Sequence, residues 1–343
     1  MSEIAVVILN WNTRHQLEVF LPNIIRHTQD TGIEIVVADN GSHDDSVVFM
    51  KKHYPGVRLI EFDKNHGFTG GYNKALSQID ARYYMLLNSD VEVTKDWLAP
   101  LKKCLDNHPE AAACMPKMKS YHQKDCFEYA GAAGGFIDRL GYPFCRGRIL
   151  DTLEKDEGQY ELPTDIFWAT GACMLLRADL FHSQGGFDDD FFAHMEEIDL
   201  CWRLKNDGHT IRCVPQSTVY HVGGGTLPND NPFKLYLNYR NNLFLLYKNL
   251  PDNKLFRVLA LRALLDVASS LIFLLKGKPA GFGAVFRAYH HFLKSLPVLK
   301  KKRKGLPRNI RDYPSGVYQK SILMSYFLEK KNRFYQLRFQ AKK

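Results

Sequence analysis

Apolar and polar positions along the chain follow two regimes. Over the first ninety residues, short continuous apolar runs end abruptly in polar clusters: Ile4–Asn10 (IAVVILN), Ile33–Asn40 (IEIVVADN), Val57–Phe62 (VRLIEF) and Arg82–Asn88 (RYYMLLN). Between them lie stretches with helical spacing, Arg14–Arg26, Asp44–Lys52 and Gly71–Ile79. Unbroken apolar strands that alternate with helices predict a mostly parallel, Rossmann-like α/β sheet covered by helices on both faces. Ligands of such sheets sit beyond the carboxyl ends of the strands. Three strands here deliver polar groups to that edge: Asn10-Trp11-Asn12, Asp39-Asn40-Gly41-Ser42 and Asn88-Ser89-Asp90.

The pattern then changes. Glu128–Arg148 is glycine-rich and predicts a hairpin with long loops, Glu196–Asn206 has amphipathic helical spacing, and Thr210–Pro215 reads as a short edge strand before the motif Tyr220–Thr226 (YHVGGGT). From Phe233 the chain turns helical. Leu255–Gly277 is strongly apolar, but Arg257, Arg262 and Asp266 interrupt it, which favours a helix lying in an interface over one that spans a membrane. The division this suggests is a nucleotide-binding and catalytic domain over residues 1–230 and a helical, basic region over 231–343, within a chain of 343 residues.

Charge sharpens that division. The net +9 conceals 22 Lys and Arg against 33 acids before Asn231, and 24 against 4 from Asn231 onward. A basic, partly apolar tail behind an acidic front predicts attachment to an anionic membrane surface, with solvated helices that close the domain as the plainer alternative. Stacking of bases on the tail aromatics is a further option, but the apolar Leu255–Leu275 fits a membrane better, and no nucleic-acid partner is expected. Seven scattered cysteines without a C-x-x-C pair argue against a zinc module or a disulfide framework and suit a reducing compartment. The opening MSEIAVVILNWN carries no basic-then-apolar leader, so no signal peptide is expected and a cytoplasmic location follows.

The chemistry-bearing residues each have a plain structural reading. Asp90 is suited to a divalent ion that bridges a diphosphate, since such ions take one or two carboxylates and otherwise keep waters and phosphate oxygens; Asn-Ser-Asp also makes ordinary turns. Asp39 can accept from a pyrimidine imide N–H, or can simply shape a strand-to-helix turn. Asn65–Asn73 (NHGFTGGYN) sets glycines before a helix, as close approach to phosphate or sugar requires, but it is neither G-x-G-x-x-G nor a P-loop. His194–Arg203 (HMEEIDLCWR) begins a helix with acids that also suit the helix dipole. With Asp188-Asp189-Asp190 just ahead, these carboxylates form a dense cluster whose pKa values are expected to rise, as a general base near neutrality needs. His221, before three glycines, is a potential second metal ligand or a structural histidine.

Taken in order, VVILNWN, VVADNGSHDDS, NHGFTGGYNKAL, YYMLLNSDVEV, GGFDDDFFAHMEEIDLCWRLKNDGH and YHVGGGT resemble the inverting glycosyltransferases of family 2, over roughly residues 4–250, and look most like the rhamnosyltransferase type that builds bacterial surface polysaccharides. The resemblance implies the GT-A fold. It also implies a nucleoside-diphosphate sugar donor (dTDP-rhamnose or a UDP-sugar), a saccharide or lipid-linked acceptor, and Mg²⁺ or Mn²⁺ as cofactor. On it, Asn10 and Asp39 line the base pocket, and Asn65, Gly67, Gly70 and Asn73 lie along ribose, diphosphate and sugar. Asn88 and Ser89 flank the donor, while Asp90 and His221 bind the metal. Asn88 stands where the family's D-x-D motif begins with Asp. Glu197 takes the place of the usual catalytic Asp, with Glu196 beside it as the alternative base. The location implied is cytoplasmic, peripheral at the inner face of the cell membrane. A nucleotidyltransferase and a non-catalytic glycosyltransferase-like binding protein are the competing readings.

Overall fold

The structure, a computed structural model, describes residues 2–223, 231–306 and 312–339. Part of the Tyr220–Thr226 motif (224–226) and of the basic tail (307–311, 340–343) lies outside the described residues.

The alternating pattern resolves as β1 (Ser2–Asn10), α1 (Arg14–Arg26), β2 (Ile33–Asp39), α2 (Ser46–His53), β3 (Arg58–Glu61), α3 (Gly67–Leu76) and β4 (Ala81–Asn88). Strands β1, β2, β3 and β4 pair in parallel in the spatial order β3-β2-β1-β4. The connections run to one side of β1 through β2 and β3, then return to its other side at β4. That reversal opens a crevice at the carboxyl ends of β1 and β4. Ile4–Ile8 and Tyr83–Leu87 are almost wholly buried, which explains why both strands read as unbroken apolar runs.

The sheet continues beyond β4 with strands of mixed direction. These are β5 (Val91–Val93), then α4 (Leu98–Asn107) and β6 (Ala111–Ser120), and, after a small second sheet, β11 (Thr164–Ile166), β12 (Cys173–Arg177), α5 (Ala178–Ser183), α6 (Glu196–Asn206) and β13 (Thr210–His221). The full order is β11-β13-β6-β12-β4-β1-β2-β3, with β5 on β13. The glycine-rich middle forms the hairpin strands β7 (Gly135–Asp138) and β8 (Pro143–Cys145), with β9 (Arg148–Ile149) and β10 (Thr152–Leu153). A late strand, β14 (Val317–Tyr318), completes this second sheet, followed by α10 (Ile322–Phe327).

Two expectations need correction. The stretch Thr210–Pro215 is not a short edge strand. It opens the 12-residue β13, which lies between β11 and β6. A register shift between Val214 and Thr218 absorbs Pro215, whose missing N–H made the strand look finished, and pairing resumes as far as His221. Helix α3 starts at Gly67 rather than Gly71, because the Asn65 side chain accepts from Gly67 N (2.7 Å) and turns the chain into the helix early.

Three long helices close the molecule: α7 (Pro232–Asn249), α8 (Asp252–Leu275) and α9 (Pro279–Gly305). Asn231 caps α7, its Oδ1 accepting from Phe233 N at 2.8 Å. In α8 the usual polarity is reversed. Arg262 and Asp266, which break the apolar pattern, are buried against the domain. The Arg262 guanidinium donates to Leu140 O (3.0 Å), to Asn242 Oδ1 and to Asp266 Oδ1 (3.4 Å), and Asp266 Oδ2 accepts from Tyr289 Oη (2.8 Å). Leu264 and Leu275, by contrast, are 70% and 87% exposed, with Phe256, Leu271 and Ile272 also outside. Breaking a buried pair such as Arg262–Asp266 typically costs about 3–5 kcal/mol, so the inward face of α8 is firmly specified.

Candidate active site

The parallel register sets Asn10 beside Asp39 and Leu9 beside Asn88, so the three polar strand ends share one edge. Asn10 Nδ2 donates to Asp39 Oδ1 (2.8 Å) and Ser42 Oγ (3.1 Å), and Ser42 N donates to Asp39 Oδ2 (2.9 Å). Thr13 Oγ1 links this group to the third strand end, donating to Asn10 Oδ1 (2.6 Å) and lying 3.0 Å from Ser89 Oγ. Asp39 is therefore a buried, rigidly held acceptor, since two neighbouring donors orient its carboxylate. The next turn is built on backbone proximity. Gly41 has φ +72°, and a Cβ there would meet the Lys64 backbone at 2.4 Å. Asn40 ties the turn to α3, donating to Gly67 O (2.9 Å) and accepting from His66 N (3.0 Å).

Asn65, Gly67 and Gly70 lie at the amino end of α3, whose first backbone N–H groups are engaged within the protein: Gly67 N donates to Asn65 Oδ1 (2.7 Å), and Phe68 N and Thr69 N donate to Phe192 O (2.7 and 3.2 Å). Gly67 (φ +74°) also admits the Phe192 ring, which a Cβ would strike at 2.5 Å. Asn73 is different. Its Nδ2 donates to Phe187 O (2.8 Å) and Asp189 Oδ1 (2.7 Å), and its Oδ1 accepts from Phe187 N (2.9 Å). Its amide is engaged in holding the acidic loop against α3.

Beyond β4, Asp90 Oδ1 lies 3.2 Å from His221 Nε2, and Glu128 Oε1 lies 3.3 Å from His221 Nδ1. Asn88 Nδ2 is 3.5 Å from the same Nε2. Burial alone would discharge the imidazole, but Glu128 and Asp90 outweigh it and lift His221 to about 10. Burial also works against the Asp90 carboxylate, yet the hydrogen bond and charge of His221 hold it below the usual carboxylate range. Among the described residues no three acidic, His or Cys side chains close around a point as a complete metal cage. The arrangement nevertheless fits a donor-dependent divalent ion. Asp90 and the Nε2 of His221 face one another, Glu128 backs the other ring nitrogen as partners of metal-bound histidines do, and phosphate oxygens supply the rest. A divalent cation would take the place of the proton that His221 now carries between two carboxylates.

Opposite stand the two glutamates that open α6. Glu196 is buried and Glu197 partly exposed, and each has one carboxylate oxygen, Oε2, buried without a hydrogen-bond partner among the described residues. Burial, with the charges of Glu197 and Asp199 adding, drives the Glu196 carboxyl well above the normal range. Burial pushes Glu197 to about 7 against the lowering effect of nearby backbone N–H groups. The glutamates adjoin the strand ends through the loop before β12. A Cβ on Gly171 would lie 3.9 Å from that of Glu197, while Ala172 O accepts from Asn88 N at 2.9 Å. Asp199, in the same helical turn, is paired with Arg203 and Lys248 (each 2.9 Å) and accepts from Asn249 Nδ2, which makes it a structural anchor. The expectation that the whole acidic cluster rises in pKa fails at Asp188. Burial does favour its neutral form, but the ammonium groups of Lys248 and Lys302 prevail and hold it at about 2.

The backbone leading into α6 is strained. Phe192, His194 and Met195 have φ values of +65°, +70° and +72°, a conformation that costs non-glycine residues free energy. Helix α7 holds it: Asn241 Nδ2 donates to Phe191 O (2.9 Å), Ala193 O (2.8 Å) and His194 O (2.7 Å), and Arg240 Nη2 donates to Asp190 O (2.8 Å) and Phe191 O (2.9 Å). Sequence reasoning missed Asn241 and Arg240, which lie in a helix read only as an extension. It also missed Glu128, which is distant in sequence from His221 and carries no local motif.

The matched family model is described as Glycosyl transferase family 2 and spans residues 5–184, just over half of the chain. The chain belongs to this family. Similar relatives include the N-acetylglucosaminyl-diphospho-decaprenol L-rhamnosyltransferase of Mycobacterium tuberculosis, 28% identical over 64% of this chain and 75% of that protein. Rhamnosyltransferase WbbL of Escherichia coli K12 is 25% identical over 64% of this chain and 83% of that protein. The fold is GT-A. Staphylococcus aureus TarS 1–349 in complex with UDP-GlcNAc superposes with a TM-score of 0.57 at 15% identity, covering 88% of this chain and 83% of that one. GalNAc-T7 with UDP, GalNAc and Mn²⁺ gives 0.56 at 15%, covering 72% of this chain and 48% of that one. As a family 2 glycosyltransferase the protein is a transferase, and the nucleotidyltransferase and non-catalytic readings lose their support.

Replacing Asn241 by Leu keeps its size and removes the amide whose two N–H groups serve the three carbonyls. Leaving buried carbonyls unsatisfied costs about 1–3 kcal/mol, so thermal unfolding of Asn241→Leu shows a lower Tm. Turnover is expected to fall with it, because the loop that leads into α6 is no longer held. An unchanged Tm and turnover would mean the loop holds its shape unaided.

Proposed function

We propose that the protein transfers a sugar, with inversion, from a nucleoside-diphosphate donor (dTDP-rhamnose or a UDP-sugar) to a hydroxyl of a saccharide or lipid-linked acceptor in cell-surface polysaccharide synthesis. The names of the relatives from M. tuberculosis and E. coli support the sugar and the acceptor class. The observation that carries the reading is the pairing of strand-end donor groups with one glutamate near neutrality across a single loop.

Asp39, held by Asn10 and Ser42, accepts from the nucleobase. Asn65, Gly67 and Gly70 receive ribose, diphosphate and sugar at the amino end of α3, with Asn88 and Ser89 alongside. Asn73 acts one step back, fastening α3 to the acidic loop. Asp90 and His221 would hold Mg²⁺ or Mn²⁺, which when bound supplies Lewis-acid stabilisation of the leaving nucleoside diphosphate.

Glu197 is the base. Its carboxylate accepts the proton of the acceptor hydroxyl while the hydroxyl oxygen forms the new bond to the anomeric carbon. The bond from that carbon to the diphosphate oxygen breaks on the opposite face, its electron pair leaving with the nucleoside diphosphate. Glu196, buried and pushed well above the usual carboxylate range by that burial, is the alternative base beside it.

General-base assistance is typically worth about 10² to 10⁴ in rate. Glu197→Gln therefore lowers kcat by roughly that factor and leaves donor affinity intact; wild-type turnover would remove Glu197 from the role. The base works only ionised and its pKa is raised, so wild-type kcat climbs with pH to a plateau above about 7. The profile is read by initial rates from pH 5 to 9, and a flat profile would contradict it. Asp90→Ala abolishes the metal-dependent part of donor binding in titration calorimetry, whereas EDTA-treated wild type and EDTA-treated variant bind the donor alike.

The outward apolar face of α8, with Arg257, Lys276 and Lys278 exposed beside it, supports peripheral attachment to the anionic inner face of the cell membrane, where each basic residue near the surface adds roughly 1 kcal/mol. α8 is long and apolar enough to cross a membrane, but its buried Arg262 and Asp266 hold it against the domain. Leu264→Glu/Leu271→Glu should abolish co-flotation with phosphatidylglycerol vesicles without changing Tm. Undiminished flotation would contradict attachment through this face.

A further inference from the structure

A second recess lies between the acidic loop and the closing helices. It is an open pocket of about 400 Å³ lined by Phe192, Phe233, Tyr236, Arg240, Arg287 and His291, with Leu237 at its floor. Its chemistry is one-sided. Among the described residues no carboxylate lies within ion-pair distance of the half-buried Arg240 guanidinium or the exposed Arg287 guanidinium. Arg287 stands 4.6 Å above the Tyr236 ring and donates no hydrogen bond to a described residue. Arg240 lies 5.3 Å from the same ring, and its Nη1 donates to Tyr236 Oη (3.2 Å), which is 2.5 Å from His291 Nδ1. Burial, followed by the charges of His290, Arg240, Lys294 and Arg287, lowers the His291 pKa, as expected where positive charges crowd without an anion.

The position is as telling as the charge. Phe192 separates the pocket from the donor edge by one ring: its face covers Gly67, and its carbonyl accepts from Phe68 N at 2.7 Å. Four and five residues further on, the chain reaches Glu196 and Glu197. On the far side, Arg287 and His291 are one helical turn apart on α9, where Phe286 and Leu293 are exposed apolar neighbours. A ligand that satisfies all of these is a dianionic or trianionic phosphate group with a hydrocarbon chain on one side and a sugar on the other. Guanidinium pairs and aromatic walls suit phosphate and stacked sugar respectively.

We infer that the Arg240–Arg287–His291 pocket is the acceptor's phosphate subsite, which takes the diphosphate of a prenyl-linked saccharide whose sugar then reaches past Phe192 to Glu197. The inference deepens the proposed glycosyl transfer and rests on it for the identity of the acceptor. The same anionic chemistry could be presented by the headgroups of membrane lipid, so the test separates the two sources.

Farnesyl diphosphate is the probe, titrated calorimetrically into the full chain in EDTA, so that binding through a metal-held donor site does not contribute. Wild type binds it, and Arg287→Gln/His291→Gln weakens binding about tenfold or more, since charge-assisted hydrogen bonds to phosphate are among the strong ones. Metal-dependent binding of UDP or dTDP stays unchanged in that variant, which shows the fold and the donor edge intact. Equal affinity of variant and wild type for farnesyl diphosphate overturns the inference. So does a variant that loses phosphatidylglycerol vesicles but keeps farnesyl diphosphate, because the pocket would then be a headgroup site. Binding is read without turnover. Failure of Glu197 as base would leave this result standing, and failure here would leave donor binding and the base untouched.

Discussion

Three carbonyls of a strained loop, gathered by one buried side-chain amide, are the contact on which the active site depends. Phe192, His194 and Met195 adopt left-handed backbone that their side chains disfavour, and nothing in their own sequence would hold it. Asn241, with Arg240 beside it, supplies the donors from a helix some fifty residues later. Lys248 and Lys302 add charge to the same clamp, through Asp188, Asp190 and Asp199. In the first turn of α6 Asp199 is neutralised by Arg203 and Lys248, whereas Glu196 and Glu197 each keep a buried Oε2 without a partner among the described residues, and burial raises both.

The closing helices thus do two jobs. Their inner faces carry the charged and amide groups that brace the loop before α6, and their outer faces carry Leu264, Leu271 and Leu275. Inverted polarity of this kind makes sense when a second apolar medium lies outside. The same inversion explains why Arg262 and Asp266 interrupt the apolar run: they belong to the inside, where Leu140, Asn242 and Tyr289 satisfy them. In the proposed membrane attachment these outer faces are the ones that would meet the lipid.

Much of this was legible in the sequence. The polar clusters at the ends of Ile4–Asn10, Ile33–Asn40 and Arg82–Asn88 marked the edge where the structure gathers Asn10, Asp39 and Asn88, because a strand buried on both faces leaves chemistry nowhere else to go. The helix Glu196–Asn206 was bounded correctly by its spacing. What stayed hidden was long-range. Glu128 behind His221 and Asn241 beneath the catalytic loop are ordinary residues in their local context, and only folding brings them to their partners. Strand β13 was cut short because Pro215 looks like an end when its bulge cannot be seen. Asn73, placed along the donor by resemblance, bonds to the loop instead of lying free.

The central claim is that the helical clamp works through the catalytic glutamate, and a double-mutant cycle on kcat tests it most directly. Asn241→Leu is introduced into wild type and into Glu197→Gln, and turnover is measured on the folded fraction of each. If the clamp acts by positioning Glu197, the Asn241 substitution slows the wild type but adds almost nothing once the base is gone. Losses that simply multiply would show two independent effects and contradict the account.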